Sequence, residues 1–283
     1  MADIPKVFDR DAIAQRLRRR PAKADDFVTA LVLADLRERL GAVTRTFKQA
    51  AILSPDAGRM PMVARSAEAG IVFERISTIV AQGDMPLVDP EMLDLPRRGY
   101  DLIVSIFDLQ VVNDVPGFLA RARMHLREDG LFLAAAIGGD SLNELRQAFL
   151  EADEALSGGA FARVAPFIPL REGGGLLQRA GLALPVADVE THTVRYQQPL
   201  SLMQEIKVMG AANPLADRPG KMATRALLLK AAEAYQRIAG QPDGRVSATL
   251  EIIWLSGWAP HESQQQPLKP GSAEISLAKV LKG

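Results

Sequence analysis

Residues 100–140, YDLIVSIFDLQVVNDVPGFLARARMHLREDGLFLAAAIGGD, constrain the fold more than any other part of the chain. They read as one complete strand–helix–strand unit with both ends marked. Leu102, Ile103, Val104, Ile106 and Phe107 form a short, nearly continuous apolar run, the pattern of a strand covered on both faces. Asp114 is placed to cap the following helix, with Pro116 in its first turn, where a missing N–H costs little. Phe118, Leu119, Ala122 and Leu126 recur at core-facing spacing, and Asp129-Gly130 is the expected stop before a second apolar strand, Leu131 to Ile137. Parallel strands need a crossover of this kind, and its hand is almost always right. The chain is therefore expected to be α/β. Ligands of open α/β sheets sit outside the carboxyl ends of the strands. Two such ends are visible, Ser105 to Asp114 and Gly138-Gly139-Asp140.

Composition narrows the function classes. Lys plus Arg equals Asp plus Glu, 34 each, so no overall field argues for nucleic acid. The absence of cysteine excludes disulfides, thiolate metal sites and cysteine nucleophiles. At 283 residues and 48% hydrophobic, with no apolar run approaching bilayer length, the chain reads as globular without a transmembrane segment. MADIPKVFDRDAIAQRLRRR lacks the apolar core of a signal peptide, so a cytoplasmic location is the expectation.

Taken in order, residues 1–44 read as a helical segment. Asp9 or Asp11 caps a helix running into Arg16, Arg18, Arg19 and Arg20, and Asp25 or Asp26 starts a second helix closed by Gly41. The arginine run reads first as a solvated face, with contact to an acidic partner, an RNA or a lipid surface as the alternative. Residues 45–283 read as the main domain, with a helical and lid-like insertion about 199–240 and a tail over 259–283. An apolar segment from Gln49 leads into the turn Ser54-Pro-Asp-Ala-Gly58, where a helix to Gly70 is expected. Ile71 to Val80 and Met85 to Val88 read as strands, with Glu74 and Asp84 as candidate strand-end acids for ribose hydroxyls. Ser141-Leu-Asn-Glu144 has the spacing of a capping box. Further on, a helix over Gly175 to Ala180, a strand over Val186 to Tyr196, helices over Leu202 to Met209 and Arg225 to Ala239, and a strand over Val246 to Trp258 are expected.

Several motifs resemble one family over essentially the whole chain. Ser256-Gly-Trp-Ala-Pro-His261-Glu-Ser-Gln264, with Pro267, Gly271-Ser-Ala273 and Ile275-Ser276 after it, looks like the ending of the methyltransferase-like assembly factors of respiratory complex I. Val7-Phe-Asp-Arg10, Asp89-x-Glu91-x-Leu93, Val112-Asn-Asp114, Ile137-Gly-Gly-Asp-Ser-Leu-x-Glu-Leu-Arg146 and Gly240-x-x-Asp-Gly244 agree in order and spacing. The resemblance implies a doubly wound, seven-stranded class I methyltransferase sheet, Rossmann-like, with an antiparallel last strand. It implies S-adenosylmethionine as small-molecule cofactor, a complex I subunit as protein partner, and, in mitochondrial members, hydroxylation of an arginine on that subunit. A place at the inner face of the membrane follows from that role.

The first turn departs from the family pattern. The place of the acid ending the first strand falls on Ile52, and the glycine places fall on Ser54, Asp56 and Gly58. Two side chains thus stand where backbone would touch the methionine part of the cofactor, and a cleft narrower than a full cofactor site is expected. Gln110-Val111 replaces the family's polar-aromatic pair, whereas Asp89 keeps the place of the acid that meets adenine. The cofactor-side candidates are accordingly Ser54, Asp56, Gly58, Glu74, Asp89 and Phe107. The catalytic candidates are Asp140, His261 and Glu262, with Glu144 as a third carboxylate for an arginine pocket. Iron held by His192 and His261 with a carboxylate is weighed as a minor alternative, and no metal is assigned. Two rival functions stay open: a small-molecule methyltransferase of the biotin-precursor or quinone type, and a non-catalytic pseudo-methyltransferase scaffold.

Overall fold

A computed structural model describes residues 5–21, 25–220 and 222–265. The apolar group expected at Ile275, Leu277, Val280 and Leu281, and the last family motif from Pro267, lie outside the described residues.

The order of elements follows local chemistry closely. Helix α1 (Arg10–Arg18) begins at Asp9, whose carboxylate accepts the Ala12 N–H, and α2 (Phe27–Gly41) begins at Asp26, which accepts the Thr29 N–H. β1 (Ala50–Ser54) follows, then β2 (Val63–Arg65), β3 (Gly70–Ser77), β4 (Tyr100–Ile106) and α3 (Val115–His125), which Asp114 caps with Pro116 in its first turn. β5 (Leu126–Ile137), α4 (Asn143–Ser157), α5 (Leu170–Arg179), β6 (Ala183–Tyr196), α6 (Pro199–Val208), α7 (Arg225–Ala239) and β7 (Val246–Trp258) complete the chain.

The strands form one seven-stranded sheet in the order β2-β3-β1-β4-β5-β7-β6. β3, β1, β4 and β5 are parallel, while β7 runs antiparallel between β5 and β6. The antiparallel β7 is as the resemblance implies, with the 100–137 unit at the middle, while the edge strand β2 is also antiparallel to its neighbour β3. Side chains alternate across the sheet. Ile103, Phe132, Ala134 and Leu255 meet α3 and α5 on one face. Ile52, Val104, Leu133 and Trp254 meet Val32, Leu36 and Leu40 of α2 on the other. Both faces are dry, which is why β1 and β4 contain no exposed residue.

Four expectations are corrected. No helix runs from Gly58 to Gly70: a 3-10 turn at Ala57–Arg59 gives way to β2, antiparallel to β3. Pro61 lacks the N–H a helix would need, and Val63 and Arg65 instead pair with Val72 and Gly70. Met85 to Val88 makes only a bridge, Leu87 opposite Ser77. β5 starts at Leu126, five residues early, because Asp129 adopts a positive φ of 58° and the pairing with β4 bulges between Tyr100–Leu126 and Leu102–Leu131. The capping box does not form. Leu142, at φ 57°, occupies the cap position of α4, while Ser141 accepts the Glu251 N–H at 2.9 Å and Glu144 accepts from Thr249 N–H and Oγ1 at 3.1 and 2.5 Å.

Asp101 joins the starts of two central strands. Its carboxylate accepts the N–H groups of Lys48 and Gln49 at 2.6 and 2.7 Å and meets Arg127 Nε at 2.5 Å, with the side chain 6% exposed. Removing it leaves the Lys48 and Gln49 N–H groups and the Arg127 guanidinium without their shared buried carboxylate. Asp101→Ala should lower stability by about 2–3 kcal/mol, read as a lower urea midpoint with an unchanged slope.

Candidate functional site

The carboxyl ends of β1, β3 and β4 lie side by side, with Ser54 opposite Ser77 and Leu53 opposite Ser105. Ser54, Ser77, Thr78, Ser105 and Asp108 are all buried there, making a polar floor beneath the cleft. Asp108 accepts hydrogen bonds from Thr78 Oγ1 at 2.5 Å and Ser105 Oγ at 2.7 Å. Burial outweighs these two bonds and pushes its carboxyl up to about 7. Sequence reasoning passed over Asp108. The signal was there, since Ser105 and Asp108 are the polar residues at the end of an otherwise apolar strand. Phe107 precedes it at a positive φ of 68°, costly for an aromatic residue, and its ring joins the apolar cluster under α2.

The amino-terminal segment lies over this floor. Ile13 and Ala14 of α1 pack on Ile79, Val80 and Val111. Asn113, itself held by Glu91, accepts the N–H groups of Val7 and Phe8 at 2.7 and 2.9 Å. Arg10 grips Asp89 through both carboxylate oxygens, and this bond holds the Asp89 carboxyl below its usual range. On its outer side the segment is clasped by residues 212–218. Arg16 donates to the carbonyls of Ala212 and Asn213, and Arg218 meets Asp9 at 2.7 Å. The arginine run is therefore divided: Arg16 and Arg20 turn inward to make fixed contacts, while Arg18 and Arg19 stay exposed.

Asp56 stands at the second of the three glycine places and is buried. Arg59 Nε at 3.3 Å and Arg20 Nη1 at 3.8 Å neutralise it, and the Gln82 amide donates to it. The same Gln82 side chain lies on Gly58, so that a Cβ there would come within 1.6 Å of its Oε1. A methionine tail laid along residues 54–58 would meet the Asp56 carboxylate and the Gln82 amide. In this arrangement the residues present do not fit S-adenosylmethionine.

The other candidates are placed as follows. Glu74 lies three residues inside the end of β3, where it accepts from Tyr100 Oη at 2.7 Å and faces Arg97, so it is not a strand-end acid. Asp84 is exposed in the loop after β3. Asp140 follows the carboxyl end of β5, its N–H donating to Glu251 at 2.8 Å. His261 and Glu262 follow Trp258, which pairs with Leu131 toward the opposite end of β5. Six residues separate Leu131 from Ile137, roughly 20 Å of strand. The grouping of Asp140 with His261 and Glu262 is thereby corrected: they do not share a site. Glu144 is already engaged by Thr249, and His192 sits opposite Leu250, eight residues along β7 from Trp258. The iron constellation is not assembled.

No protein-family model matches the chain. It is 30% identical over 287 residues to arginine-hydroxylase NDUFAF5, mitochondrial, of Homo sapiens, covering 97% of this chain and 83% of that protein. The Danio rerio protein of the same name is 34% identical over 196 residues, 69% of this chain and 61% of its own length. Malonyl-[acyl-carrier protein] O-methyltransferase of Laribacter hongkongensis is 35% identical over 183 residues, 65% of this chain and 59% of that protein. The matches thus span less than two thirds of the Danio and Laribacter relatives.

The buried acid supplies a test of the floor. A carboxyl with a folded pKa near 7 and an unfolded value near 3.9 keeps its proton longer in the folded state. The associated stability is fully present below about pH 4 and is lost as pH rises through about 7. Urea unfolding of the wild type and Asp108→Asn should show the wild type losing ground to the variant between about pH 4 and pH 7, by an amount on the order of 4 kcal/mol at most.

Proposed function

Because this chain belongs to the family of the NDUFAF5 arginine-hydroxylases, we propose that it acts in the assembly of respiratory complex I, at the cytoplasmic face of the membrane, by holding a partner subunit. One observation carries the holding part of this reading. The passage along residues 54–58 is filled by Asp56, Gln82 and Arg20, and α1 is fastened above it through Arg10 to Asp89 and Arg16 to the 212–213 backbone. In that state the protein works as a binding surface. Room for a methionine tail along residues 54–58 would need Gln82 to swing off Gly58. No helix among the described residues is long and apolar enough to cross a membrane.

Calorimetric titration with S-adenosylmethionine and a pull-down with tagged full-length protein test the two parts separately. No heat at millimolar ligand, with complex I subunits retained by the tagged chain, is the expected outcome. Micromolar binding together with gain of one oxygen on an arginine of the retained subunit would replace holding by catalysis. Failure to retain any complex I subunit would remove the assembly role. The double variant Asp56→Gly/Gln82→Ala reopens the passage and should bind S-adenosylmethionine at least about tenfold more tightly than the wild type, a gain of about 1.4 kcal/mol.

A further inference from the structure

A second concavity lies beyond the carboxyl end of β5, built independently of the closed cleft. It encloses about 560 Å³, within the range of small-molecule sites. α4 presents Arg146 and Phe149 three residues apart on one face, and the loop over residues 158–169 wraps back to bring Phe161 and Phe167 opposite them. The loop is held in place. Gly138 bridges to Ile168, a Cβ on Gly139 would lie 3.3 Å from Pro169 Cα, and Asn213 Nδ2 donates to the Ala162 carbonyl at 2.8 Å. Arg163 forms a bidentate pair with fully buried Asp153, both bonds 2.7 Å, and lays its guanidinium beside Phe149 and Phe161 at 5.9 and 5.6 Å from their centroids.

Charge decides what the concavity accepts. Arg163 is neutralised by Asp153. Arg146 is half-buried and bonded only to neutral acceptors, Asn143 Oδ1 at 2.5 Å and the Ala165 carbonyl at 3.3 Å, and it makes no ion pair among the described residues. Asp140 sits at the mouth, exposed to water, and is joined to Asn143 by a 3.4 Å contact. A solvated carboxylate at the rim needs no ligand, whereas a partly desolvated guanidinium with spare donors gains most from an incoming carboxylate, which it can bind in bidentate fashion. Three phenyl rings supply the apolar wall. We infer that the concavity is a binding site for a monocarboxylate with an apolar body, its carboxylate on Arg146 and its body against Phe149, Phe161 and Phe167.

Full-length protein titrated calorimetrically with octanoate, octanol and octylamine tests this. Octanoate should bind at least tenfold more tightly than either neutral octanol or cationic octylamine. Arg146→Met, which keeps the side-chain length, should abolish the preference and leave octanol unchanged. Should that variant fail to fold, Arg146→Lys keeps the charge, loses the fork and should weaken octanoate alone. Phe161→Ser, on the exposed loop, should weaken octanoate and octanol alike. Equal binding of the three probes by the wild type, or an octanoate preference that survives Arg146→Met, overturns the inference. So does tighter binding of octylamine that Asp140→Asn removes, which would make the site one for cations.

Discussion

The antiparallel pairing of β7 with β5, seven residue pairs from Leu131–Trp258 to Ile137–Ile252, is the constraint on which the rest of the molecule depends. It carries Trp258 toward the amino end of β5 and brings Thr249 and Glu251 beside the carboxyl end. Backbone groups at a strand end lack ladder partners and must find others. Glu144 and Ser141 provide them, and the Asp140 N–H returns the favour to Glu251. The 138–146 motif is thereby stapled to β7, which sets the direction of α4 and turns Arg146 and Phe149 toward the loop over residues 158–169.

The carboxyl ends of the sheet thus present two different environments. Over β1, β3 and β4 the side chains of the first turn and of the docked amino-terminal segment partner one another. A carboxylate buried at position 56 is tolerable only with partners, and Arg20, Arg59 and Gln82 supply them. Arg20 reaches Asp56 only while α1 is docked, so the replaced glycine and the docked helix depend on each other. Beneath them Asp108 is kept by two hydroxyls, with no cation paired to it among the described residues. Beyond β5 the space is open, lined by rings and one guanidinium that no carboxylate neutralises among the described residues. The family's fold is retained, with Asp56 and Gln82 placed along residues 54–58 and a concavity beyond β5.

Much of this was legible in the residues. Asp9, Asp26 and Asp114 announce their helices because a capping carboxylate acts on N–H groups two or three residues away, within the same local stretch. β4 and β7 announce themselves through apolar pattern, and the family motifs carry the sheet and its antiparallel last strand. Two of the failures share one cause, contacts made from far along the chain. Ser141-x-x-Glu144 has every local mark of a capping box, yet Thr249 and Glu251, more than 100 residues later, compete for the same oxygens and win. Arg16 and Arg20 look like members of one solvated run, yet a helix has an inner face, and only docking decides which arginines occupy it.

The α/β class, the central 100–137 unit, the caps and the identity of the side chains at the first turn were readable from residue order, because each rests on neighbours a few positions apart. Which of those side chains meet depends on strand register and helix docking, which bring distant positions together. Asp140 and His261 belong to equally specific motifs, but the direction of β7 sets them at opposite ends of a strand. Gln82 reaches Gly58, and Arg10 reaches Asp89, because strand order and helix docking bring together residues 24 and 79 positions apart. Motif spacing records what must be present; only the register of strands and the packing of helices converts presence into distance.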